Sequence, residues 1–133
     1  MKFMFDTNIC IYATKGTFPA LASRLPNVRK GNACISVITY GELLMGVEKS
    51  NQRATAKAAL ARTTSLLSVY SLDDDVAETY ASIRAYLERK GTPIGTNDLW
   101  IGAHALTLGV TLITSNEREF KRIPKLKIEN WTK

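Results

Sequence analysis

The chain has 133 residues, 45% of them hydrophobic, and 18 Lys and Arg against 12 Asp and Glu give a net charge of +6. That length suits one domain with a sizeable core, residues 1–133, and no apolar run approaches the ~20 residues of a membrane span. The start lacks the basic opening and long apolar core of a signal peptide, because Asp6 interrupts the first apolar run.

These features predict a soluble, cytoplasmic protein without a membrane partner. Cys10 and Cys34 lie in apolar stretches and read as reduced, buried thiols. Two Cys and one His, widely spaced, make no zinc pattern. A positive surface suits a polyanionic partner, the more so if several acids converge in one pocket. Taken alone, it is also what solubility requires.

In chain order, Lys2–Phe5 is a short apolar run suited to a buried strand. Asp6-Thr7-Asn8 stops it with N-cap residue types, and Ile9, Ile11 and Tyr12 begin a helix. Lys15-Gly16-Thr17 is a break. Phe18, Leu21, Ala22 and Leu25 recur at helical spacing. Pro26–Asn32 is a polar, basic turn, and Ala33–Ile38 is a second strand. Thr39 and Glu42 fit a capping box for a helix running to about Lys49. Ala54–Leu67 is Ala-rich and helical, and Ser68–Leu72 is a third strand. Asp73-Asp74-Asp75 opens a helix that closes at Arg89-Lys90-Gly91. After the loop Thr92–Asn97, Asp98 opens a helix ending at Gly109. Val110–Ile113 is a fourth strand, Glu117–Phe120 one helical turn, and Leu126–Ile128 a last strand in a basic tail. The alternation predicts an α/β fold of three layers, with a mainly parallel central sheet and helices on both faces.

In a parallel sheet, strand ends and the starts of following helices share one edge, where ligands bind. Asp6, Glu42 and Asn116 are placed there, and Asp98 can join them. Each has a plain structural role as well: Asp6 as a cap, Glu42 in its capping box, Asp98 beside a helix dipole, Asn116 in a turn. Coincidence of location is what favours a site. Converging carboxylates need neutralising, and hard oxygen ligands select Mg²⁺, with Mn²⁺ as substitute. Such ions support phosphodiester hydrolysis, and basic residues grip nucleic acid. His104, six residues after Asp98, lies about 240° around the helix from it, which assigns it to packing rather than the pocket.

Four blocks carry a resemblance: Phe5-Asp6-Thr7-Asn8-Ile9, Ser36–Leu43, Pro93–Leu106 and Leu112–Phe120. In content and order they resemble the signature blocks of PIN-domain ribonucleases, and most of all the VapC toxins of bacterial type II toxin–antitoxin systems. The resemblance reaches the closing Glu129-Asn130-Trp131. It implies a Mg²⁺-dependent endoribonuclease, a homodimer able to assemble further with a VapB-like antitoxin, and an RNA substrate. The anticodon loop of initiator tRNA is the first target to test. It places Asp6, Glu42 and Asp98 as catalytic and metal-binding acids. Asn116 stands where many members carry a fourth acid, with Glu119 able to supply the charge. Thr7 and Thr114 complete the supporting polar set. Arg24, Arg29, Lys30, Lys121, Arg122 and Lys125 are candidate RNA contacts.

Two other classes compete. A haloacid dehalogenase-like phosphatase also begins with an Asp after the first strand, but Asn8 stands where its general acid belongs. A non-catalytic module that binds Mg²⁺ and RNA is the other.

Overall fold

The computed structural model describes residues 1–133. Strand β1 (Phe3–Phe5) is followed by α1 (Thr7–Lys15), α2 (Pro19–Arg24) and a 3₁₀ turn over Leu25–Asn27. Strand β2 (Ala33–Ser36) leads into α3 (Val37–Lys49) and α4 (Arg53–Thr64). Strand β3 (Ser68–Tyr70) precedes the pair α5 (Asp74–Lys90) and α6 (Thr96–Leu108). Strand β4 (Thr111–Ile113), the single turn α7 (Glu117–Phe120) and β5 (Ile128–Glu129) complete the chain. All five strands are parallel, in the order β3-β2-β1-β4-β5. The sheet is thus wholly parallel, and no helix is long and apolar enough to cross a membrane.

Alternation along each strand builds two cores. Met4, Cys34 and Leu112 point to one face, where Val76, Ile83 and Leu87 of α5, Leu99 and Ile101 of α6, and Phe120 cover them. Phe5, Ala33, Ile35 and Ile113 point to the other, against Ile9 and Cys10 of α1, Leu21 of α2 and Trp131. With helices on both faces, strands buried on both sides are what the continuous apolar runs in the sequence require. Trp131 anchors the tail by packing edge-on to Phe3 and Phe5, with ring centroids 5.0 and 5.7 Å away. Cys10 and Cys34 are free, buried thiols. Burial raises both well above the usual thiol range, Cys34 to about 12, which leaves them protonated and unreactive.

Several boundaries differ from the sequence expectation by one to three residues, and three of them have a visible cause. Strand β2 ends at Ser36, whose side chain accepts the Ile38 N–H and starts α3 there. Thr39 is therefore already inside the helix, and the Thr39–Glu42 capping box does not form. Helix α6 starts at Thr96 on an N-cap Gly95, so Asp98 lies within its first turn rather than opening it. Strand β5 is shifted to Ile128–Glu129, because its register places Ile128 beside Leu112 and Glu129 beside Ile113.

Gly102 decides how closely α6 approaches the segment after β4. A Cβ there would stand 2.5 Å from Ile123 Cδ1 and 3.5 Å from the Phe120 ring. The missing side chain lets α6, which carries Asp98, lie against α7, which carries Glu119.

Candidate active site

Asp6 reaches the carboxyl edge directly after β1, Glu42 from α3 after β2 and Glu119 from α7 after β4. Asp98 is carried there by the first turn of α6, which follows α5 rather than a strand. Asp6 follows β1 and is the N-cap of α1: one oxygen accepts the Ile9 N–H at 2.9 Å. The other accepts the Thr114 hydroxyl at 2.5 Å. The cap role and the site role thus belong to the same carboxylate. Thr114 in turn accepts the Asn116 N–H at 2.9 Å, so the turn after β4 is clamped to the turn after β1. Asp6 is only 5% exposed. Burial raises its carboxyl to about 6; the bonds from Thr114 and Ile9 oppose the rise, and the charges of Asp98 and Glu42 add to it.

Glu42 projects from α3 towards the same edge. Its two oxygens accept from Thr7 Oγ1 at 2.5 Å and from Asn97 Nδ2 at 3.3 Å. Thr39 Oγ1 lies 3.3 Å from the Thr7 oxygen, which is free to accept once its own proton is given to Glu42. Asp98 is raised as well, by burial first and then by the charges of Glu119 and Glu42, with the Asn116 side chain opposing. Asn116 Nδ2 donates to Glu119 Oε2 at 2.8 Å. The structure therefore brings Asp6, Glu42, Asp98, Asn116 and Glu119 together, with Thr7 and Thr114 bonded to the acids. Asn97 is a member that spacing did not mark. It lies beside Asp98 in the first turn of α6, and only the fold sets it against Glu42.

Glu117 belongs elsewhere. It is held by Lys133 at 2.8 Å and Asn130 at 3.0 Å, and Lys133 first, then Asn130, lowers its carboxyl. His104 is buried, bonded through Nδ1 to Ser36 Oγ at 2.9 Å. It does not line the acidic edge.

The donor set suits a hard divalent cation: all its charged members are carboxylates, and they raise one another's affinity for positive charge. No three of the His, Cys, Asp or Glu side chains stand close enough to chelate one ion together.

The basic candidates divide by location. Arg29 and Lys30 lie in the turn before β2, at the amino edge, where they line an apolar cleft of about 400 Å³ with Leu25, Leu66 and Leu67. Arg24 lies over the Trp131 ring at 4.4 Å and pairs with Glu129 at 3.6 Å. Lys121 directly follows α7, and Arg122 donates to the Pro93 carbonyl at 2.8 Å, bracing the loop before α6. Lys125 adopts a left-handed turn before β5.

A parallel sheet covered on both faces, with carboxylates gathered at its carboxyl edge from a strand end and from helix starts, is the arrangement expected of a PIN-type domain. Residues 3–126 match the PIN domain family. The chain is 41% identical over 131 residues to the tRNA(fMet)-specific endonuclease VapC of Salmonella typhimurium, covering 98% of both chains. It is 40% identical over 134 residues to the ribonuclease VapC2 of Rickettsia felis, covering 100% of both. The crystal structure of DNA-bound VapBC from Salmonella typhimurium superposes with a TM-score of 0.92 at 41% identity, covering 98% of each chain. The chain belongs to the PIN-domain family and, within it, to the VapC group. That assignment removes the support for the phosphatase alternative.

Proposed function

We propose that this chain is a Mg²⁺-dependent endoribonuclease toxin of a type II toxin–antitoxin module, acting at the carboxyl edge as one PIN unit. The observation that carries the reading is the electrostatic coupling of Asp6, Glu42, Asp98 and Glu119 at one sheet edge. The chain's similarity over 98% of its length to a relative named as a tRNA(fMet)-specific endonuclease supports it, and makes initiator tRNA the first substrate to test.

Asp6 and Asp98 would hold the ion, directly or through water, with Glu42 completing the site. When bound, the ion supplies Lewis-acid chemistry: it offsets phosphodiester charge and favours a nucleophilic water at neutral pH. The chain's own residues prepare that site. Thr114 and the Ile9 N–H favour the ionised form of Asp6 against its burial. Thr7 and Asn97 occupy one oxygen each of Glu42 and fix its orientation. Asn116 restrains Glu119 beside Asp98. The +6 chain attracts the RNA backbone despite this acidic edge.

The partner in this reading is a VapB-like antitoxin, because structural relatives of this chain are named as VapBC complexes. A cytoplasmic homodimer is the form expected of the toxin. The test is incubation of the purified protein with initiator tRNA and total RNA, with Mg²⁺ or with EDTA, followed by mapping of new ends. Cleavage should need the ion and vanish in Asp6→Asn and Asp98→Asn. Cleavage that survives EDTA or both substitutions would refute it, and RNA bound but never cut by wild type would favour the non-catalytic module.

A further inference from the structure

His104 is a buried polar group that the mechanism above does not use. It lies in the third turn of α6 and is 1% exposed. Its Nδ1 is 2.9 Å from Ser36 Oγ, and Ser36, 0% exposed, is the N-cap of α3. Capping α3 requires only the Ser36 oxygen, which accepts the Ile38 N–H at 3.2 Å. An imidazole is not needed for that, and an apolar side chain would fill the core without the cost of burying a polar ring. What the imidazole adds is a link between helices. Two side-chain hydrogen bonds join α6 to α3 or its cap: Asn97 to Glu42 at the mouth of the site, and His104 to Ser36 in the core. These are the helices that carry Asp98 and Glu42.

We infer that His104 is a positioning residue: by holding Ser36 it fixes where α3 starts relative to α6, and so sets the separation of Glu42 and Asp98. The bond is strong for its type, because both partners are out of water and each would otherwise be poorly satisfied. Burial lowers the affinity of the ring for a second proton, with the Asp73 charge opposing. The link is therefore one between neutral groups. Ser36 starts α3, so the ring bonds to the start of one helix while belonging to another.

The inference rests on the metal-dependent nuclease reading, and its test separates the two. His104→Leu keeps much of the volume and loses the bond. His104→Asn returns an amide atom near the place of Nδ1. Mn²⁺ affinity of the RNA-free protein is measured by calorimetry, and kcat and RNA Kd by cleavage and binding. In the Leu variant, Mn²⁺ affinity and kcat should each fall about tenfold, the size typical of residues that orient metal ligands, with RNA Kd unchanged. The Asn variant should recover most of both. If the Leu variant does not fold, Ser36→Gly carries the test, since Gly is a tolerated N-cap and lacks the hydroxyl; the same losses are expected. A folded Leu or Gly variant with wild-type Mn²⁺ affinity and kcat overturns the inference alone, as does an Asn variant no better than Leu. A wild-type protein that neither binds Mn²⁺ nor cuts RNA overturns the nuclease reading and this inference with it.

Discussion

Thr114 donates its hydroxyl to Asp6 at 2.5 Å, joining residues 108 positions apart. The same oxygen accepts the Asn116 N–H, so one threonine ties two strand ends together and steadies a buried carboxylate. Thr114→Val keeps the shape and removes both bonds. The Asp6 carboxyl should then rise above about 6, because a bond that favours its charged form is lost. Leaving a buried acceptor and a backbone N–H without this partner should cost about 1–3 kcal/mol. Urea unfolding measures the second effect, and weaker Mn²⁺ binding at pH 7 the first. Thr114→Ser should behave as wild type.

The raised carboxyl of Asp6 makes metal-free stability depend on pH. The folded-state value of about 6 exceeds the ordinary 3.8, so the folded protein holds a proton that the unfolded chain has released. The stabilisation is complete below pH 3.8 and is lost as pH rises through 6. At 1.36 kcal/mol per pKa unit the change is about 3 kcal/mol. Asp98 is shifted the same way. Metal-free Asp6→Asn should therefore be more stable than wild type at pH 7.5 and lose that advantage near pH 4. Denaturant unfolding in EDTA at both pH values decides it. Mn²⁺ affinity of wild type should rise across the same window, because the ion needs the deprotonated ligand.

Asn116 now has a defined partner. Its Nδ2 donates to Glu119 at 2.8 Å, so Asn116→Asp replaces a donor with a second charge. Two carboxylates about 4 Å apart repel by about 4 kcal/mol at an effective dielectric of 20. The variant should melt lower than wild type in EDTA and gain more from Mn²⁺ than wild type does, since a ligand bound only by the folded state stabilises it. Melting curves with and without Mn²⁺ test this; an equal gain in both proteins would contradict the charge argument.

The basic residues should separate by sheet edge. Lys121 directly follows α7, the turn that carries Glu119, whereas Arg29 and Lys30 precede β2 at the opposite edge. Neutralising Lys121 should lower the slope of log K against log salt for RNA binding by about 0.7–0.9. Neutralising Arg29 or Lys30 should leave the slope unchanged. Filter binding across a salt series reads both, and the reverse pattern would place the RNA path along the amino edge.

What the sequence determined was the order of elements and the shared context of the acids. Short apolar runs followed by capping residues specify strand-to-helix turns by local chemistry alone, so Asp6 and Asn116 were legible as edge residues. The helix stops at Gly16, Gly91 and Gly109 were equally local, each adopting the left-handed conformation that glycine tolerates. The wholly parallel strand order was less so, because pairing between β1 and β4 joins segments a hundred residues apart. The start of α3 shows where local rules compete: Thr39-x-x-Glu42 and Ser36 are both valid cap signals, and the end of β2, set by pairing with β3 up to Ser36 and Tyr70, chose Ser36. Glu42 was thereby freed from capping to meet Thr7 and Asn97. Only the tertiary structure decided those partners, the Thr114–Asp6 clamp and the His104–Ser36 link. Each is a contact between residues far apart in sequence, whose geometry depends on how two helices and two strand ends pack together, and side-chain spacing along one element carries no trace of it.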